Sequence, residues 1–101
     1  MRVYLSGSIT DDPSFMDKFD FAAKEAEIDI QQAHKGEKIV VVNPAKLKFV
    51  LPDGTHEEYM KLCFDLLARC DSIWMIEGWE ASMGACMEYG YAKAKGMEIY
   101  T

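Results

Sequence analysis

Glu88 stands six residues after Ser82, and its helical neighbours three and four positions away are Gly84, Ala85, Tyr91 and Ala92. A face so small and apolar leaves room for a ligand beside the carboxylate. Helical side chains lean towards the N-terminus of their helix, so Glu88 is aimed at whatever lies beyond that end. An ionised carboxylate held there can attack the anomeric carbon of a sugar, giving a glycosyl ester that water or a second base resolves. A solvated glutamate on a short helix is the alternative. Ser82 reads as the helix N-cap, which puts Gly84 and Ala85 in the first turn, where unpaired amides and the helix dipole favour an anion. Gly7, within Ser6-Gly7-Ser8, lets a second stretch of backbone approach closely, and the hydroxyls of Ser6, Ser8 and Ser82 are further donors for one phosphate. Capping and turn formation explain the same residues without a ligand.

Other candidates carry less chemistry. Trp79 precedes the Glu88 helix and can stack on a nucleobase, cover a pocket or pack on that helix. Trp74 alternates within a strand and reads as core. Glu77 and Glu80 sit in the same loop and can supply a second carboxylate or simply be solvated. His56 becomes an acid or base only if the segment carrying it folds over the site. Asp71, between a helix and a strand, belongs to the opposite end of the sheet and reads as structural.

These residues need a scaffold. Val3-Tyr4-Leu5 is a short β-prone run closed by Ser6-Gly7-Ser8. From about Ser14 to His34, Phe15, Phe19, Ala22, Ala26, Ile30 and Ala33 recur at helical spacing, stopping near Gly36. Lys38 to Val42 reads as a buried strand ended by Asn43-Pro44. The pattern fades between Ala45 and Thr55, with a turn expected at Pro52-Asp53-Gly54. Thr55 or His56 opens a helix that runs to about Cys70, and Ser72 to Ile76 is a third strand. A loop over Glu77 to Ala81 follows, then a helix from Ser82 to Gly96, then a strand from Met97 to Tyr100. The expected fold is a three-layer, doubly wound, Rossmann- or flavodoxin-like α/β domain filling residues 1–101, its four parallel strands in the order 2-1-3-4. The order reverses between the first and third strands, which puts Ser6-Gly7-Ser8 and the loop before Ser82 on one crevice.

Composition narrows the partner. Half of the residues are apolar, 28% are charged and the formal charge is −6. Broad attraction to a nucleic-acid polymer or an anionic membrane is therefore not expected, whereas a small phosphorylated molecule can still sit on backbone amides. Cys63, Cys70 and Cys86 lack metal-ligand spacing and read as reduced thiols, so a zinc site is not expected, and the glycosyl-transfer chemistry read for Glu88 implies no metal or organic cofactor. Met1 to Leu5 runs straight into a strand with no signal-peptide pattern, and no apolar stretch matches a membrane span, so a cytoplasmic location is expected.

Val3-Tyr4-Leu5-Ser6-Gly7-Ser8-Ile9, Val42-Asn43-Pro44-Ala45 and Gly78-Trp79-Glu80-Ala81-Ser82-Met83-Gly84-Ala85, followed by Glu88, resemble the DUF4406 proteins, often phage-encoded. Those are similar in turn to the nucleoside 2-deoxyribosyltransferase-like superfamily, which includes the 2′-deoxynucleoside 5′-monophosphate N-hydrolases. The resemblance implies an N-glycosidase or deoxyribosyltransferase-type activity on a nucleoside 5′-monophosphate, working as a homodimer. Glu88 takes the nucleophile's place. Ser6, Gly7, Ser8, Ser82 and Gly84 face the phosphate, since a serine six residues before the nucleophile goes with phosphorylated substrates. Ile9, Trp79 and Glu80 fall to the base and sugar. Two departures stand out. Where active relatives carry an aspartate, eight residues before Asp71, this chain has Cys63, with Asp65 the nearest carboxylate, which leaves the acid for the leaving base unassigned. The sequence also stops at Thr101, without the segment through which relatives complete a neighbour's site. A non-catalytic, nucleotide-sequestering protein is the alternative.

Overall fold

A computed structural model describes residues 1–9 and 12–101 of the chain. Its elements are β1 (Arg2–Ser6), α1 (Phe15–Ala33), β2 (Val40–Val42), a 3-10 turn (Pro44–Lys46), α2 (Leu47–Val50), α3 (His56–Leu67), β3 (Ser72–Met75), a second 3-10 turn (Trp79–Ala81), α4 (Met83–Lys95) and β4 (Glu98–Tyr100). The four strands form one parallel sheet in the order β2-β1-β3-β4, the expected doubly wound topology.

β1 is central, and its residues 3 to 6 are buried, as a strand covered on both faces must be. Period-two alternation sends Val3 and Leu5 to one face, where they meet Phe19, Ala22, Ala26 and Ile30 of α1. Tyr4 points the other way, into a second core built from Cys63 and Leu67 of α3, Ile73 and Met75 of β3, and Ala85 and Ala92 of α4. The register pairs Ser6 with Met75, and the Ile76 amide donates to the Ser6 carbonyl at 2.8 Å. The loops after β1 and β3 therefore leave the sheet side by side. Gly7 is needed at that exit because a Cβ there would lie 3.0 Å from Ile76 Cβ.

The helix ends follow local chemistry. Ser82 caps α4 by accepting from the Ala85 amide at 3.2 Å, and Gly96 closes it at φ 72°. Thr55 and Glu58 form a reciprocal capping box on α3, with bonds of 3.1 and 3.0 Å. The stretch between Ala45 and Thr55, which shows no periodicity, is not structureless. Asn43 caps the first 3-10 turn by accepting from the Ala45 amide at 3.0 Å, and α2 follows as one helical turn. The Gly54 amide then closes the expected Pro-Asp-Gly turn on the Leu51 carbonyl at 3.1 Å. The Tyr59 hydroxyl donates to that same carbonyl and straps the segment to α3. β2, β3 and β4 are each one or two residues shorter than the expected strands, beginning at Val40 and not Lys38, ending at Met75 and not Ile76, and beginning at Glu98 and not Met97.

Candidate active site

Glu88 lies in the middle of α4 and is only 5% exposed. Its two oxygens are held by two hydroxyls from the central strand: Tyr4 donates to Oε2 at 2.5 Å and Ser6 donates to Oε1 at 2.7 Å. Strand alternation makes this possible, since residues two apart on β1 share a face and α4 crosses that face. Gly84 and Ala85, one turn before Glu88, are buried against the sheet and α3, and their small size lets the helix come close enough for the bonds to form. A Cβ on Gly84 would already stand 2.9 Å from Met60 Sδ.

The electrostatics follow from burial. Desolvation raises the Glu88 carboxyl above its usual range, opposed by the bonds from Tyr4 and Ser6, which favour the ionised form. Tyr4 is pushed well above the ordinary phenol range, first by burial and then by the negative charge of Glu88, so it stays a donor. Burial raises the Cys63 thiol to about 11, against the lowering effect of its hydrogen bond with Tyr4. The cluster is thus one carboxylate fixed by two hydroxyls, with a protonated thiol alongside.

Above Glu88 opens a cleft of about 180 Å³, bounded by Gly7 and Ile9 after β1, Pro44, Gly54 before α3, His56, Tyr59 and Met60 of α3, and Ser82, Gly84 and Ala85 of α4. It lies beyond the carboxyl ends of β1 and β3, where the strand order reverses. The first amides of α4 have no acceptor within the helix and lie at its rim. The arrangement can therefore present a fixed nucleophile at the floor and an anion-favouring helix end at the mouth.

The structure brings Gly7, Ile9, Ser82, Gly84 and Glu88 together on this cleft. Ser6 is adjacent but fully buried, its hydroxyl committed to Glu88 instead of facing the space above. Ser8 opens onto a separate depression with Asp12, Lys18 and Glu77. Trp79 stacks on Tyr89 with ring centroids 4.7 Å apart, and with Glu80 it lines another depression on the far side of the β3–α4 loop. The indole turns towards its own helix because that aromatic face buries more of it than the loop's open side does. Trp74 packs half-buried beside α1 and stacks on Tyr100, and Asp71 binds the Arg2 amide at 2.7 Å at the opposite end of the sheet, both as their positions suggest. The residue that sequence reasoning passed over is Tyr4, read only as a strand former. Its two-residue spacing from Ser6 was the available signal.

Among the described residues, no group of three or more histidines, cysteines, aspartates or glutamates could hold a metal ion, and no helix is long and apolar enough to cross a membrane. Compared with known families, the whole chain, residues 1–101, matches DUF4406, a domain of unknown function. No curated protein and no solved structure matches it.

Proposed function

The chain belongs to the DUF4406 family, and from that premise we propose that it is an N-glycosidase or deoxyribosyltransferase-type enzyme acting on a nucleoside or 2′-deoxynucleoside 5′-monophosphate. The observation that carries the reading is Glu88, held on both oxygens by Tyr4 and Ser6 at the floor of a cleft with the N-terminus of α4 at its mouth. Desolvation of this buried carboxylate is opposed by its two hydrogen bonds, and it lies beneath an open cleft and not in a closed core. The resemblance of Gly78 to Glu88 to the nucleoside 2-deoxyribosyltransferase-like superfamily supports the same chemistry.

In the proposed reaction an oxygen of Glu88 forms a bond to C1′ on the face opposite the base. The C1′–N bond breaks, its electron pair leaves with the base, and a glycosyl ester remains. Water, or a second base in a transfer reaction, then attacks C1′ and returns Glu88 as a carboxylate. Tyr4 and Ser6 keep the carboxylate pointed at C1′ through both halves, which is the positional contribution a nucleophile needs. The phosphate sits against Ser82, Gly84 and Gly7; Ser6 contributes through Glu88. No metal or organic cofactor enters the scheme, and the partner is a small nucleotide, not a nucleic-acid polymer or a membrane. The working form is proposed to be a homodimer in the cytoplasm.

Purified protein and its Glu88→Ala variant, incubated with ribo- and deoxyribonucleoside 5′-monophosphates, test this by chromatography of free base. Release by the wild type that falls by about 10⁶-fold in the variant is expected, the scale seen when a covalent nucleophile is removed. A second reading, a nucleotide-sequestering protein without turnover, is favoured by Cys63, whose protonated thiol lines the cleft where similar enzymes carry an aspartate. Tight binding of a monophosphate with no base released from any would select it.

A further inference from the structure

A nucleophile alone does not complete glycosidic cleavage, because a departing nucleobase is a poor anion and needs a proton. Among the described residues, five ionisable side chains line the cleft: Tyr4, His56, Tyr59, Cys63 and Glu88. Glu88 is committed to C1′ in the reading on which this inference rests. The Tyr4 hydroxyl is bonded to Glu88, and the Tyr59 hydroxyl is spent on the Leu51 carbonyl. Cys63 is a buried thiol at the floor, on the nucleophile's side of the sugar. His56 remains, and imidazole is the side-chain type suited to proton transfer near neutrality.

Its position suits the task. A displacement at C1′ puts attacking oxygen and leaving nitrogen on opposite faces of the sugar. Glu88 lies at the buried floor, so the base faces the mouth. His56 is exposed at that mouth, as the first residue of α3, with Cε1 3.9 Å from where a Cβ on Gly84 would stand. The capping box between Thr55 and Glu58 fixes the turn that carries it. Exposure also lets the ring exchange protons with water between turnovers.

We propose that His56 is the second catalytic residue of this cleft, the proton donor to the leaving base. As the C1′–N bond breaks and its electron pair passes onto the base, the imidazolium N–H gives its proton to a base nitrogen, leaving neutral imidazole. In the second half the neutral ring takes a proton from the attacking water as its oxygen bonds to C1′ and Glu88 departs as carboxylate. The sum is nucleotide and water to base and sugar phosphate, with both residues restored.

The test compares two leaving groups in wild type and His56→Gln: the best nucleoside monophosphate from the base-release panel, and 4-nitrophenyl (deoxy)ribofuranoside 5-phosphate, whose nitrophenolate departs without a proton. We expect His56→Gln to lower kcat/KM on the nucleotide by about 100-fold, the lower end for general acid catalysis. The loss on the nitrophenyl compound is expected to be at least tenfold smaller. Equal losses on both would make His56 a phosphate contact or a structural residue and overturn the assignment. No loss on either would do the same. Failure of the wild type to release base from any monophosphate would remove the glycosidase reading and this inference together, whereas turnover without a difference between leaving groups removes only the role of His56.

Discussion

Replacing Tyr4 by Phe keeps the buried ring and deletes the hydrogen bond donated to Glu88 Oε2, together with the weaker one shared with the Cys63 thiol, which does not change with the charge on Glu88. A hydrogen bond to a charged group contributes about 2 kcal/mol and one to a neutral group about 1 kcal/mol. The variant therefore loses about 2 kcal/mol while Glu88 is ionised and about 1 kcal/mol once it is protonated. The difference, about 1 kcal/mol, favours the protonated form and raises the Glu88 carboxyl further beyond its already elevated position. The sign follows from linkage. A carboxyl raised by folding binds more protons in the native than in the unfolded chain, so its contribution to stability falls as pH climbs from the unfolded carboxyl range through the folded value. Tyr4→Phe extends that fall upward. Urea denaturation of both proteins between pH 4 and pH 8 should show a gap of about 1 kcal/mol at the acid end, widening to about 2 kcal/mol at the alkaline end. Carboxyl-carbon NMR should place the Glu88 titration higher in the variant. A gap that stays constant with pH, or a titration that does not move, would refute the claim that Tyr4 stabilises the ionised form of Glu88.

Gly7→Ala should destabilise the protein by about 1–3 kcal/mol, because the new Cβ would lie 3.0 Å from Ile76 Cβ in a packed core; thermal melts check this, and an unchanged melting temperature would contradict the close approach of the two loops. Thr55→Ala should cost about 1 kcal/mol by opening the capping box, with amide exchange accelerating first in residues 56–59. Timed labelling of the native protein with a thiol reagent should give one fast site, the exposed Cys86. Cys63 and Cys70, whose thiols burial pushes to about 11, should react only slowly and become fast in urea.

Much of this molecule was legible along the chain. The order of elements, the parallel sheet and its 2-1-3-4 arrangement follow from apolar runs and helical spacing, which are local signals, together with the handedness rule for crossovers. The Ser82 cap and the Gly96 stop are likewise set within a few residues of sequence. So is the small, apolar neighbourhood that singled out Glu88, because a helix face is fixed by its period.

The rest depended on contacts between residues far apart. Tyr4 and Glu88 are separated by 84 positions, and only the crossing of α4 over β1 turns a strand-forming tyrosine and a turn serine into the two donors of one carboxylate. The same crossing commits the Ser6 hydroxyl to Glu88 and not to the space above it, where a phosphate contact was expected. Trp79 stacked on Tyr89 and left the cleft, a choice between two apolar surfaces that residue type cannot decide. His56, unremarkable in a polar stretch, reached the mouth because the Leu51 to Gly54 turn and its strap from Tyr59 deliver α3 there. Periodicity and capping act over one or two turns of chain and can be read from sequence, whereas the partner of a buried polar group is selected by packing across the whole core.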